Sequence, residues 1–210
     1  MTINTEDLLN SILASLDRID YIKPEEVPDI ELYMDQVTTF MDNKLRSSVR
    51  HPGDDKILTK TMINNYAKND LLPPPVKKKY SREHVLVLIF IYYYKGILSI
   101  TDIQSLLKPI TDKYFHNGKD FNLERIYNEV FSLEKETVER MKEDIKVKYA
   151  RSMETFEDAP EESVEFLRKF AFICELSYDV YVKKQIIEKM IDELNASAKK
   201  VQADNRKEKK

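Results

Sequence analysis

The chain has 210 residues and a mass of 24.8 kDa, 42% apolar and 34% charged, with a mean hydropathy of −0.51. This composition argues against a disordered chain and fits one domain or two small ones. Three glycines leave little material for phosphate-cradling loops, and the single cysteine, Cys174, excludes an intramolecular disulfide and a cysteine-based zinc site. The N-terminus is acidic and polar, and the longest apolar run, Val85 to Tyr94, is about half of a bilayer span. A cytoplasmic protein with no membrane contact is expected.

The formal charge of −3 hides an asymmetry. Between Lys56 and His84 there are seven basic and two acidic residues, a net +5, so the rest of the chain carries −8. Like charges held together on an acidic protein point to a partner.

Leu8, Leu9, Ile12, Leu13, Leu16 and Ile19 predict a first helix from about Glu6 to Ile19, capped by Thr5. Pro24 and Pro28 break the next stretch. A second helix is expected from Asp29 to about Leu45, with Ile30, Met34, Val37 and Met41 on one face. His51-Pro52-Gly53-Asp54-Asp55 is a loop signal. Thr59 then caps a short helix from Lys60 to Asn69, and Pro73-Pro74-Pro75 bars both helix and central strand. Ser81 caps a helix through Tyr94, ended by Gly96. Ser99 and Asp102 form a capping box opening a helix to about Leu107. Asn117-Gly118 is a turn, and Asn122 to Tyr149 is helical again.

After Pro160 a long helix is expected to about Leu194. Its Val164, Leu167, Ala171, Cys174, Tyr178 and Tyr181 repeat at heptad spacing. Ala and Tyr at these positions favour a core stripe over a dimer seam, and Cys174 reads as a buried small apolar group. Residues 199–210, basic and poor in apolar side chains, are expected to be a disordered tail. The fold class is all-α. The expected organisation is N-terminal helices over 1–55, a helix-turn-helix over 56–108, a C-terminal helical module for dimerisation or sensing over 109–198, and the basic tail.

Chemistry-bearing motifs are sparse. His51, His84 and His116 show no ligand spacing, none has Glu three residues before it, and neither a Gly-rich phosphate loop nor a nucleophile elbow exists. A non-enzyme without cofactor or metal is expected. The informative stretch is Lys56 to Leu107. Its short helix carries Lys60, Thr61, Asn64, Asn65 and Lys68, donors suited to phosphates and base edges in a major groove. The triple proline stiffens the exit, and Lys77-Lys78-Lys79 place three charges on one short loop, fitting a phosphate backbone.

This order resembles the winged helix-turn-helix of the MerR family of bacterial regulators. Tyr66 stands at the end of the recognition helix, Leu71-Leu72-Pro73 at its exit, and Tyr80-Ser81 at the end of the wing. Lys95-Gly96-Ile97-Leu98-Ser99-Ile100-Thr101-Asp102-Ile103 matches the second helix pair. The resemblance covers about a quarter of the chain. Two departures stand out: Asn64 and Asn65 replace the family's Arg and first aromatic, and only Val76 to Lys79 remain for the wing, so a very short or absent wing is expected. Asn64-Asn65-Tyr66 through Pro75, with Lys79-Tyr80-Ser81, is also similar to an uncharacterised family of Gram-positive bacteria of unknown function.

The MerR resemblance implies a sequence-specific, double-stranded-DNA-binding transcriptional regulator acting as a homodimer. The candidate contacts are Lys60, Thr61 and Asn64 toward the groove and Lys68, Lys77, Lys78, Lys79 and Arg82 toward phosphates, with Asn65, Tyr66 and Tyr80 completing the set; Tyr66 and Tyr80 read first as core anchors with the hydroxyl at the edge. The alternative is a non-catalytic all-α adaptor that binds an acidic protein through the same face. A small-molecule effector in the C-terminal helices is compatible with either.

Overall fold

In a computed structural model, residues 5–16, 22–51 and 53–208 are described. The elements are α1 (Thr5–Leu16), β1 (Leu32–Tyr33), α2 (Met34–Leu45), α3 (Lys60–Lys68), β2 (Lys79–Tyr80), α4 (Arg82–Tyr94), α5 (Ile100–Tyr114), α6 (Leu123–Ser132), α7 (Glu134–Met153) and α8 (Glu161–Glu208). The all-α expectation therefore holds apart from one two-residue strand pair, with Leu32 opposite Tyr80 and Tyr33 opposite Lys79. No helix among the described residues is long and apolar enough to cross a membrane.

The chain divides into two compact units. One comprises α1 with residues 132–187; the other comprises residues 22–131 with 188–208. The boundary expected near residue 55 falls inside the second unit.

That second unit is built around α4. Every residue from His84 to Ile91 is buried, because the helix is apolar all round and is covered on all sides. Val37, Met41 and Leu45 of α2, Ile63 of α3, and Ile103 and Leu107 of α5 add to this core. Phe90, Tyr127 and Phe131 form an aromatic cluster with ring centroids 4.4–5.3 Å apart. The buried Tyr127 hydroxyl donates to the Ile22 carbonyl at 2.5 Å. Burial of these side chains is the main favourable term, at roughly 1.5–3 kcal/mol each.

Local signals account for several boundaries. The Thr59 hydroxyl accepts the Met62 N–H at 3.1 Å, opening α3 as expected. Ser99 and Asp102 form the anticipated capping box: Asp102 N–H donates to Ser99 Oγ at 3.1 Å, and Ser99 N–H to Asp102 Oδ2 at 3.3 Å. At the exit of α3 the Tyr66 carbonyl accepts from both Leu71 (2.9 Å) and Leu72 (3.1 Å), with Asp70 left-handed at φ 54°. This closure buries Leu71 and Leu72.

Other boundaries differ from expectation. α2 starts at Met34, not Asp29, because Leu32 and Tyr33 are held extended by pairing with β2. Ile30 is therefore exposed rather than on the helix's inner face. α5 runs seven residues past Leu107 and carries Pro109 inside it. Leu133 separates α6 from α7 within what reads as one helix. α8 continues to Glu208, through the stretch expected to be frayed; no Gly or Pro follows Pro160, and Ala, Lys, Gln, Arg and Glu are good helix formers. Ile19, expected to end α1, lies outside the described residues.

In the first unit, Lys148 of α7 pairs with Asp179 of α8 and with Asp144 on its own helix. Arg168 donates to the Thr155 carbonyl at 3.0 Å. The expected heptad stripe of α8 is split: Val164, Leu167 and Ala171 are half-buried, whereas Tyr178 and Tyr181 are exposed. Cys174, expected inside, is exposed as well. The helix turns a different face inward, since Phe172 packs edge-on against Tyr149 at 5.4 Å.

Candidate nucleic-acid interface

α3 is two-faced. Lys60, Thr61, Asn64, Asn65 and Lys68 are exposed and share one side of the helix. Ile63 is fully buried on the other side and Tyr66 is half-buried beside it. Tyr66 is thus an anchor of the helix rather than a group facing the groove, and burial raises its hydroxyl pKa. α2 packs against both α3 and β2.

Two contacts fix the ends of this short helix from the core. Lys95, at the end of α4, donates to the Ile57 carbonyl at 2.5 Å on the approach to α3, and its pKa is lowered by burial. Gln104 of α5 donates to the Asn69 carbonyl at 2.9 Å at the exit.

The loop between Pro75 and Tyr80 is a hairpin of the smallest size. Lys79 N–H donates to the Val76 carbonyl at 2.9 Å, and Val76 N–H to the Lys79 carbonyl at 3.1 Å. The two residues between them, Lys77 and Lys78, both have positive φ, 49° and 65°, as a type I′ turn requires. Asn-Gly is the usual choice for such a turn, because an L-residue in the left-handed region costs about 1–2 kcal/mol. Two lysines therefore occupy the least suitable backbone positions in the unit, with both side chains exposed. The hairpin leads into β2, which pairs with β1 alongside.

The cations differ in how committed they are. Lys60 pairs with Asp35, and Lys79 pairs with Glu31 at 3.3 Å while lying over the Tyr33 ring at 5.8 Å. Among the described residues Lys68, Lys77 and Lys78 have no ion-pair partner.

Two candidate contacts are already engaged within the fold, Tyr80 buried and Arg82 half-buried. Tyr80 is buried, because its strand register with Leu32 turns the ring inward, edge-on to His84 at 5.5 Å. Arg82 is turned toward the core side of α4. It donates to the Pro24 carbonyl at 2.6 Å and pairs with Glu124 at 3.3 Å and Asp29 at 3.8 Å. Both serve the unit's interior.

The sequence gives no hint of one cluster. His84 is buried, and burial pushes its pKa down to about 4, so its ring is neutral. Its Nδ1 accepts the Ser81 N–H at 2.9 Å and lies 2.8 Å from Ser81 Oγ. That leaves Nε2 as the protonated nitrogen, directed at the Pro74 carbonyl at 3.4 Å. His84 thereby joins the N-terminus of α4 to the proline stretch below the hairpin. His116, left-handed at φ 51°, reaches Ser81 Oγ at 3.4 Å through Nε2 and Glu83 at 2.8 Å through Nδ1. Serine, histidine and carboxylate follow the order of a hydrolase relay. The Ser81 hydroxyl is closer to the neutral His84, however, so the set acts as a helix cap. The cavity of about 450 Å³ beside it is lined by Asp29, Glu31, Glu83 and Glu124 together with Arg82 and His116, so its lining is acidic on balance. Ser81 was legible as a cap; His84 and His116, 32 residues further on, carried no signal of joining it. Among the described residues no group of three or more His, Cys, Asp or Glu is arranged to hold a metal ion.

Comparison with known proteins finds no curated protein and no solved structure that matches the chain. One family model does match, over residues 22–130, nearly the same limits as residues 22–131 of the second unit. The chain belongs to the family described as domain of unknown function DUF1836.

Proposed function

We propose that the second unit is a minimal winged helix-turn-helix that binds double-stranded DNA, and that the protein is a MerR-like transcriptional regulator. In this reading α3 enters the major groove with Lys60, Thr61, Asn64, Asn65 and Lys68, and the Val76–Lys79 hairpin rests on the flanking phosphates. The observation that carries it is the pair of left-handed lysines at the hairpin tip. Backbone strain of this kind persists where a side chain is needed for something other than stability. The pairing of β1 with β2 supports the wing, and the clean division of α3 into an apolar and a polar face supports its role in the groove.

The test is titration of the full chain into fluorescent random duplex DNA, read by anisotropy at about 50 and 200 mM salt. Five or six phosphate contacts predict an affinity loss of about three orders of magnitude across that range. Substituting Lys77, Lys78 and Lys79 by Ala should weaken binding on all sequences alike and flatten the slope.

One observation favours the adaptor reading: Asp35 and Glu31 already answer two of the cations, which shrinks the positive patch. In that case random duplex DNA fails to compete with an acidic protein for the face, and no binding is seen at low salt.

A further inference from the structure

The outer side of α3 has an internal order. Successive helical residues turn by about 100°, so with Ile63 and Tyr66 on the inner side, Thr61 and Lys68 stand within about 10° of the outward line. Asn64 and Asn65 then lie about 50° to either side of that line, one amide on each flank, a turn after Thr61. All four side chains are exposed, and among the described residues neither amide has a hydrogen-bond partner in the protein.

Other asparagines of this unit are used differently. Asn117 donates to the Phe121 carbonyl at 3.1 Å and accepts the Lys119 N–H at 3.1 Å, and Asn122 accepts the Arg125 N–H at 3.0 Å. They shape a turn and open a helix, the ordinary structural work of this residue. Asn64 and Asn65 do neither. They stand in the interior of a helix, where asparagine is a poor former, and α3 is too short to hold itself in water. Two adjacent asparagines therefore weaken α3 and make no contact within the protein that offsets this.

Their chemistry points outward. A carboxamide is a planar fork with one acceptor oxygen and one amino donor. In the major groove adenine is the one base that presents the matching pair, the N7 acceptor beside the N6 amino donor. Guanine presents two acceptors, which suit Arg or Lys. α3 has no Arg, and Lys60 is already paired with Asp35. Thr61, near the outward line, carries a methyl group that fits the C5-methyl of thymine. One amide on each flank cannot take the same base edge, so each has its own.

We propose that Asn64 and Asn65 are the specificity-determining residues of α3, each taking one adenine in a bidentate contact, so that the helix selects a site with two nearby A·T pairs. The inference rests on the reading of α3 as the helix in the groove and adds which bases it reads.

The experiment uses the full chain in two steps. Sites are enriched from a random duplex pool at about 50 mM salt, where phosphate contacts hold any sequence. The enriched site is then titrated by anisotropy with each of its A·T pairs exchanged for G·C in turn, against the chain, Asn64→Ala and Asn65→Ala. Two A·T pairs should be enriched, and each exchange should weaken binding by the unaltered chain about tenfold to a hundredfold. Each variant should lose that discrimination at one pair and keep it at the other. The salt slope should stay the same, because the amides carry no charge. Alanine is the better helix former, so both variants retain α3. Binding to random duplex without A·T enrichment overturns this inference alone, as does discrimination that both variants retain. No binding to any duplex at low salt overturns the earlier reading and this one with it.

Discussion

Replacing the hairpin tip separates what the two lysines do for the fold from what they do for binding. In the variant Lys77→Asn with Lys78→Gly, the type I′ turn receives its preferred pair. Glycine removes the steric cost of φ 65° at position 78, and asparagine tolerates φ 49° at position 77. With about 1–2 kcal/mol per left-handed L-residue, largely recovered at one position and partly at the other, stability should rise by roughly 1–2 kcal/mol. The cross-hairpin bonds between Val76 and Lys79 are backbone bonds and survive the change. Two positive charges are lost, which should lower the salt slope of DNA binding by about 1.8 and weaken binding roughly eightfold per charge near 0.1 M salt. Because the chain has no tryptophan, urea unfolding is best followed by far-UV circular dichroism, with binding by anisotropy in the same buffers. A variant that is both more stable and weaker on DNA is the expected outcome. Unchanged or reduced stability would show that the turn holds no strain to relieve. Greater stability with an unchanged salt slope would remove the lysines from the interface.

Further outcomes follow from the interior. Arg82→Ala should destabilise the protein by about 1–3 kcal/mol through the orphaned Pro24 carbonyl and Glu124, yet leave the salt slope of DNA binding unchanged, since Arg82 is already held by Pro24, Asp29 and Glu124. The buried His84 has a folded pKa of about 4, below the ordinary 6.5, so the unfolded state binds the extra proton between those values. Its contribution is complete above pH 6.5 and disappears as pH falls toward 4, a loss of up to about 3 kcal/mol that His84→Gln should flatten in urea titrations across that window. Tyr127→Phe should cost about 1–3 kcal/mol in the same assay, because it leaves the Ile22 carbonyl buried without its donor.

What could be read from sequence was what neighbouring residues decide among themselves. Thr59, Ser81 and Ser99 mark helix starts because the cap and the N–H it serves lie within three residues. The polar face of α3 follows from its period. The start of α2 was misplaced because it depends on Leu32 meeting Tyr80 and Tyr33 meeting Lys79, 48 and 46 residues away in the chain. Arg82 read as a surface cation because its partners, the Pro24 carbonyl and Glu124, lie 58 and 42 residues away in the chain. The stripe of α8 from Val164 divides for a related reason: apolar residues occur almost all around residues 164–182, and the inner face is selected by Phe172 on Tyr149, Asp179 with Lys148 and Arg168 on the Thr155 carbonyl. Pro109 reads as a stop, yet it sits at an exposed position of α5 where the interrupted backbone bond is open to water.

The two clips on α3 have a consequence for how its motion should be sensed. Nine residues are too few to hold a helix in water, so the order of α3 is borrowed from Lys95 at its approach and Gln104 at its exit. Loosening either clip, by Lys95→Met or Gln104→Ala, should open α3 alone. Its amide protons would then exchange sooner than those of α4 while the global melting temperature changed little. A helix that can open separately from the core beneath it can also be tightened separately, and contact along its polar face is what would tighten it.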